Sequence, residues 1–249
     1  MKLDFGLVGK TLGHSFSRTY FSDKFREEGF QGTYHNFEMP DVNHVRDLEK
    51  VVDNLRGFNV TIPYKRDILT YLDELSPVAE SVGAVNTVLL EAGRYIGYNT
   101  DVVGFRDSLT EFYEGHPGGK ALILGTGGAS RAVGYVLEHY FQFDEILHAS
   151  RSPRADNHVG YPALKAEGLG EFRLIVNSTP VGTAPDIEAY PDLPYESLNA
   201  DAHLYDLIYN PRDTKFLQLG AAQGCKTMNG MEMLIRQAEA SWEIWMEHS

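Results

Sequence analysis

A single cysteine, Cys225, stands among 249 residues, so no disulfide can form within the chain and a reducing cytosol suits it. Positive charge is scarce as well: 22 lysines and arginines face 35 acidic side chains, for a formal net charge of −13. So acidic a chain lacks the broad basic face that nucleic acid or an anionic membrane surface requires. Any anionic ligand must therefore be held by local donors. No apolar run is long enough to cross a bilayer, and a strand-like segment at 3–8 leaves no room for a signal peptide. The nine histidines show neither an HExxH nor a paired Cys/His spacing, so no metal site is expected. Repeats and low-complexity tracts are absent too. What remains is an ordinary globular composition, 43% hydrophobic and 23% charged, enough for one large domain or two modest ones.

Short strands and helices alternate over the first hundred residues. Residues 3–8 read as a strand, 18–28 as a helix stopped by Gly29, and 33–37 as a second strand. Val42, Val45, Leu48, Val52 and Leu55 mark one face of a helix ending at Gly57, and 58–61 form a third strand. Residues 84–90 and 95–98, split by Ala92-Gly93, predict a hairpin. The rhythm is α/β with one antiparallel pair at an edge. A second α/β unit follows Asp101, with a connecting helix over 102–112 and a loop at 115–119. The apolar strand 120–124 runs into Gly125-Thr126-Gly127-Gly128-Ala129-Ser130, and a helical repeat of Ala129, Val133, Val136, Leu137 and Tyr140 follows. Residues 146–149, 174–176 and 204–208 supply further parallel-type strands. Residues 153–171 are weakly patterned, 184–196 read as a Pro-rich acidic surface loop, and 231–246 form an amphipathic helix bearing Trp242 and Trp245.

Several segments carry chemistry. In NVTIPYK (59–65), Pro63 suits the first position of a short helix after a buried strand, which puts Lys65 one turn in, near a positive helix end that disfavours an ammonium ion. Such a lysine either snorkels to water or serves proton transfer. A Gly-x-Gly turn between an apolar strand and a helix lets backbone amides approach a pyrophosphate, although Ser130 takes the third glycine position; a glycine-eased turn is the alternative. The strand at 146–149 ends in Ser150-Arg151-Ser152-Pro153-Arg154 without a carboxylate, which favours a 2′-phosphate and hence NADP over NAD. His14-Ser15-Phe16-Ser17, Asn59 with Thr61, and Asn86-Thr87 place hydroxyls and amides at strand ends. Ser17 doubles as a candidate N-cap for a helix starting at Arg18, and Asp101 as a cap for the connecting helix.

Taken together, HSFS, NVTIPYK, GAVNT (83–87), GYNTD (97–101), GTGGAS and NSTP (177–180) resemble shikimate dehydrogenase. DLIYNP (206–211), Gly230-Met231-Glu232-Met233-Leu234 and Gln237 continue the match to nearly the whole chain, in order. The resemblance implies a two-domain α/β fold: a mixed α/β substrate domain, residues 1–101 completed by 231–249, and a Rossmann-like NADP-binding domain, residues 102–230. It implies reversible NADPH-dependent reduction of 3-dehydroshikimate to shikimate, a step toward chorismate and the aromatic amino acids, in a cytoplasmic monomer or homodimer. Carried over, Lys65 and Asp101 become the catalytic pair. Ser15 and Ser17 bind the substrate carboxylate, and Thr61, Asn86, Tyr209 and Gln237 its hydroxyls or ring. Gly125, Thr126, Gly127, Gly128 and Ala129 hold the coenzyme with Ser150, Arg151, Ser152 and Arg154, while Ile208 and Gly230 border the nicotinamide. The chain departs from the family at Arg18, where proline is common, and at Tyr64, where histidine is usual. Ser150-Arg151-Ser152 stands for Asn-Arg-Thr, and residues 155–172 are short for the usual helix and strand. Three rivals are an NAD-dependent quinate/shikimate dehydrogenase, against which Arg151 argues, a catalytically silent ligand sensor, against which intact Lys65 and Asp101 argue, and a folate dehydrogenase, which the paired serines and Asn86 disfavour.

Overall fold

The computed structural model describes residues 2–13, 16–114 and 118–247. The chain divides into two compact α/β units, residues 1–100 with 238–249, and residues 101–237. In the first, β1 (Leu3–Gly9), α1 (Phe16–Glu27) and β2 (Gly32–Glu38) lead to a 3-10 turn (Val42–Asp47), the single-turn α2 (Leu48–Val51) and β3 (Leu55–Val60). A second 3-10 turn (Asp67–Tyr71), β4 (Glu74–Leu75), α3 (Pro77–Val82), β5 (Thr87–Glu91) and β6 (Arg94–Tyr98) complete it. The strands order as β2-β1-β3-β5-β6-β4. β1 runs parallel to both neighbours, and β5 is antiparallel to β3 and β6. The reversed strand is therefore interior, with the two-residue β4 outermost, rather than one antiparallel pair at an edge. The hairpin turn is Ala92-Gly93, both at positive φ (49° and 75°), which matches the right-handed twist of the strands it joins.

The helix expected over 42–57 is not there. Its apolar spacing is satisfied by the 3-10 turn, capped by the Asp41 carboxylate on the Asn43 amide, followed by one α-turn. Val51, Val52, Asp53 and Asn54 are all weak helix formers, and β3 begins at Leu55. Gly57 is a strand residue, not a helix stop: a Cβ there would strike the Trp245 indole. Trp245 is fully buried, packs on Phe5 (4.8 Å) and Phe21 (5.5 Å), and donates to the Val88 carbonyl (3.0 Å). Nor does a helix hold Lys65. Residues 62–66 form a turn with a cis Ile62–Pro63 bond, and the 3-10 turn starts only at Asp67.

The second unit runs α4 (Asp101–Phe112), β7 (Lys120–Leu124), α5 (Gly128–His139), β8 (Glu145–Ala149), β9 (His158–Val159), α6 (Tyr161–Glu167) and β10 (Phe172–Asn177). A 3-10 turn (Tyr195–Ser197), β11 (His203–Asp206), α7 (Lys215–Ala222), β12 (Lys226–Met228) and α8 (Met231–Glu247) follow, and α8 passes into the first unit after Gln237. Its strands are all parallel in the order β12-β11-β10-β7-β8-β9, the doubly wound arrangement whose direction of growth reverses between β7 and β10. Ala121, Leu122, Ile123 and Leu124 are fully buried, as a central parallel strand covered on both faces must be. The weakly patterned 153–171 stretch holds β9 and α6. In the expected surface loop 184–196, Leu193 and Tyr195 are core residues. Among the described residues no helix is long and apolar enough to cross a membrane, and no group of three or more His, Cys, Asp or Glu could hold a metal ion.

Candidate functional site

In the first sheet the strand order reverses between β1 and β3, and the loops leaving their carboxyl ends carry HSFS and NVTIPYK. Of HSFS, Ser15 lies outside the described residues. Ser17 sits in the first turn of α1, which starts at Phe16 rather than Arg18, so it is not the N-cap residue. The Ser17 hydroxyl donates to the buried Tyr34 hydroxyl, moderating a pKa that burial drives well above its ordinary value. The Thr61 amide donates to the Val8 carbonyl (2.9 Å), and the Lys65 carbonyl accepts from Val85 (2.8 Å), which fastens NVTIPYK to GAVNT. Lys65 is half-buried.

Behind these loops lies a buried polar network that sequence reasoning did not anticipate. Tyr34 donates to Asn59 Oδ1 (2.8 Å). Asn59 Nδ2 donates to the Asn86 carbonyl (3.2 Å), to Thr87 (3.1 Å) and to Ser241 (2.9 Å). The Thr87, Thr100 and Ser241 hydroxyls lie within 2.8–3.1 Å of one another. Asn86 turns its amide onto Thr100: Oδ1 accepts from the Thr100 amide (2.6 Å) and Nδ2 donates to the Thr100 hydroxyl (2.9 Å). Thr100 immediately precedes Asp101, a buried residue opening α4. Thr100 was visible inside GYNTD, whereas an isolated Tyr34 in a strand gave no signal.

In the second unit the glycine turn leaves β7 and the NSTP segment leaves β10, the two strands that flank the reversal. Gly125 requires glycine by its backbone, with φ at +111°, and a Cβ would also sit tightly against the Ser178 hydroxyl at 3.0 Å. Its amide donates to the Ala149 carbonyl (3.0 Å), and its carbonyl meets His148 Nδ1 (3.2 Å). Burial depresses the His148 pKa, opposed by that carbonyl. Gly127 has open space where a Cβ would stand, and Gly128 and Ala129 open the twelve-residue α5, whose first-turn amides have no acceptor within the helix. A cavity of about 550 Å³ opens beside Ser150, Arg151, Pro153, Gly160 and Tyr161, with no carboxylate in its lining. Ser152 and Arg154 share that exposed loop but do not line the cavity. An open glycine, a helix start and a guanidinium beside a carboxylate-free cavity fit a dinucleotide carrying a 2′-phosphate.

NSTP and DLIYNP are joined through Asp206, which sequence reasoning did not single out. Fully buried, its carboxylate accepts from Asn177 Nδ2 (3.0 Å), the Ile208 amide (3.0 Å) and the Thr214 hydroxyl (2.6 Å), yet burial raises its pKa to about 6. The Ile208 carbonyl accepts from the Gly230 amide (3.0 Å), and a Cβ on Gly230 would run into the Leu207 carbonyl. Tyr209 is half-buried, with its pKa raised by burial. Gln237 lies on α8, its amide on the Leu234 carbonyl (2.8 Å) and its stem against Gly104 of α4.

The family model described as the shikimate dehydrogenase substrate binding domain matches residues 7–88. A shikimate dehydrogenase (NADP(+)) from Methanococcus maripaludis is 38% identical over 96% of this chain and 90% of its own. The solved structure of shikimate dehydrogenase 1 from Peptoclostridium difficile is 35% identical, with a TM-score of 0.86 over 99% of this chain and 92% of that one. Shikimate 5-dehydrogenase from Thermus thermophilus, solved with NADP(H) and shikimate, is 34% identical with a TM-score of 0.85 over 98% and 94%. Identity at this level across nearly all of both chains, on the same mixed and doubly wound sheets, leaves one conclusion: the chain belongs to the shikimate dehydrogenase family.

Proposed function

We propose that the protein is an NADP-dependent shikimate dehydrogenase, reversibly reducing 3-dehydroshikimate to shikimate on the route to chorismate and the aromatic amino acids. The observation that carries this reading is that each of two sheets reverses its strand order, and the loops at each reversal carry one set of ligand-binding motifs. Residues 1–101 with 231–249 form the substrate domain and 102–230 the coenzyme domain. When bound, the coenzyme supplies the hydride for the carbonyl carbon. Lys65 Nζ gives a proton to the forming alkoxide oxygen in reduction and takes one from the hydroxyl in oxidation. Asp101 accepts a hydrogen bond from the neighbouring hydroxyl. Ser15 and Ser17 bind the substrate carboxylate; Thr61, Asn86, Tyr209 and Gln237 contact its hydroxyls and ring.

Gly125, Thr126, Gly127, Gly128 and Ala129 would hold the pyrophosphate, and Ser150, Arg151, Ser152 and Arg154 the 2′-phosphate. Ile208 and Gly230 would border the nicotinamide. Because the protein is strongly acidic, these few donors must outweigh a repulsive field. The test is to mix the purified protein with shikimate and NADP+ and follow NADPH absorbance, with quinate and NAD+ run alongside. Fast turnover with shikimate and NADP+ is expected. No turnover with that pair, or faster turnover with quinate and NAD+, would refute the assignment.

A further inference from the structure

Ser130, which occupies the third glycine position of the dinucleotide turn, is wired into the turn. The Gly127 amide donates to Ser130 Oγ (3.1 Å), Ser130 Oγ lies 2.7 Å from Ser178 Oγ, and Ser178 Oγ lies 2.6 Å from the Leu124 carbonyl. Counting protons fixes the direction. The carbonyl can only accept, so the Ser178 hydroxyl donates to it, and Ser130 must then donate to Ser178. The relay runs from Gly127 N–H through Ser130 and Ser178 to the Leu124 carbonyl, stapling both sides of the Gly125-Thr126 turn to the loop after β10. Ser130 is buried, and a Cβ on Gly125 would stand 3.0 Å from the Ser178 hydroxyl and 3.3 Å from that of Ser130. The relay thus spans β7 and β10, the pair between which the parallel sheet reverses.

We propose that Ser130 and Ser178 are positioning residues for the coenzyme pyrophosphate. They commit the Gly127 amide to Ser130 and hold the turn so that the amides of Gly128 and Ala129 face the phosphates. This rests on the reading of the second unit as an NADP site. One consequence runs against the sequence fingerprint: Ser130→Gly, which restores the third glycine, weakens coenzyme binding instead of strengthening it.

The test measures equilibrium dissociation constants of the full chain for NADP+ and for adenosine 2′-phosphate, which has the 2′-phosphate but no pyrophosphate. Ser130→Gly, Ser130→Ala and Ser178→Ala should each weaken NADP+ about five- to thirty-fold, the scale of one lost hydrogen bond in a formed site. Adenosine 2′-phosphate should stay within about twofold, a separation that general destabilisation would not produce. The Ser130→Ala/Ser178→Ala double variant should lose no more than the worse single one, since either change breaks the same relay. Unchanged NADP+ binding in the Ser130 variants, equal weakening of both ligands, or multiplying losses in the double variant would each overturn the proposal. A wild-type protein that binds neither ligand would instead refute the NADP reading itself, and the relay's role with it.

Discussion

Asp206 offers the sharpest quantitative test of how the second unit holds its loops. Its carboxyl group is fully buried, and three donors only partly offset the desolvation that lifts its pKa from 3.8 to about 6. At about 1.4 kcal/mol per pKa unit, that rise corresponds to about 3 kcal/mol. The sign follows from proton counting. Between pH 3.8 and 6 the folded chain keeps a proton that the unfolded chain has released, so this group's contribution to stability falls as pH rises through that window. The whole cost is present above a pH of about 6. Asp206→Asn cannot ionise but keeps an oxygen for Asn177 and Ile208, and Thr214 need only rotate its hydroxyl to accept from the new amide. Relative to the wild type, the variant should therefore gain up to about 3 kcal/mol between about pH 4 and pH 7, whatever constant offset separates them. Trp242 and Trp245 both lie in the other unit, so their fluorescence would report the wrong transition. Urea unfolding should be followed by hydrogen exchange at β10 and β11. A variant-minus-wild-type difference that stays flat across that pH range, or declines, would mean that the three hydrogen bonds outweigh burial and that this reasoning fails.

Other expectations are independent of it. Lys65→Met should cut kcat by about a hundred- to ten-thousand-fold and leave the shikimate KM within a few-fold, since the methylene stem is kept and the proton donor lost; near-normal turnover would exclude Lys65 as the acid–base group. Arg151→Ala should weaken NADP+ by about ten- to a hundred-fold and leave NAD+ unchanged, read by competition binding, and equal effects on both coenzymes would remove Arg151 from the 2′-phosphate site. His203 is packed between the Phe112 and Tyr113 rings (5.2 and 5.0 Å), and burial, aided by Lys226, lowers its pKa; neither ring nitrogen has a partner of good geometry, although the nearby Asp201 backbone favours the charged form. Its contribution to stability is complete above the unfolded pKa of about 6.5 and is lost as pH falls toward the folded value, so His203→Phe should flatten the acid limb of the stability curve. An acid limb identical to that of the wild type would contradict this.

What the chain revealed in advance depended on how local each cause was. The glycine turn was legible because an apolar strand, its turn and a helical repeat follow one another directly, and the hairpin because Ala92-Gly93 alone reverses the chain. The false helix over 42–57 shows the limit: apolar residues three and four apart fit a 3-10 turn plus one α-turn as well as a helix. Gly57 was misread because the reason for it, the Trp245 indole, lies 188 residues further along the chain. Lys65 was placed in a helix because Pro63 suits a helix start, whereas the chain makes a turn around a cis bond there. For Ser17 and Asn86 the residue types indicated polar work at strand ends, but not the hydrogen bonds that orient them, because Tyr34 and Thr100 come from other strands and loops. In the second unit the fold class was legible because the central parallel strand β7 writes itself as a continuous apolar run.

Those orienting partners share a physical logic in both units. Loops that leave the carboxyl ends of strands expose backbone groups that no ladder satisfies, and a ligand site must keep some of them available. Apolar packing alone cannot aim an amide or hydroxyl, whereas a hydrogen bond can. In the first unit Tyr34, Asn59, Thr87, Thr100 and Ser241 form that support. In the second it comes from Ser130, Ser178, Asn177 and Asp206. Tyr34, Asn59, Thr87, Thr100, Ser241, Ser130, Asn177 and Asp206 are buried and Ser178 half-buried. An unmet polar atom is costly there, so the members of each network hold one another to a single arrangement more firmly than solvent-exposed contacts would. In a protein of net charge −13 this matters doubly, because long-range attraction cannot gather anionic ligands and the local donors must already be correctly aimed when one arrives.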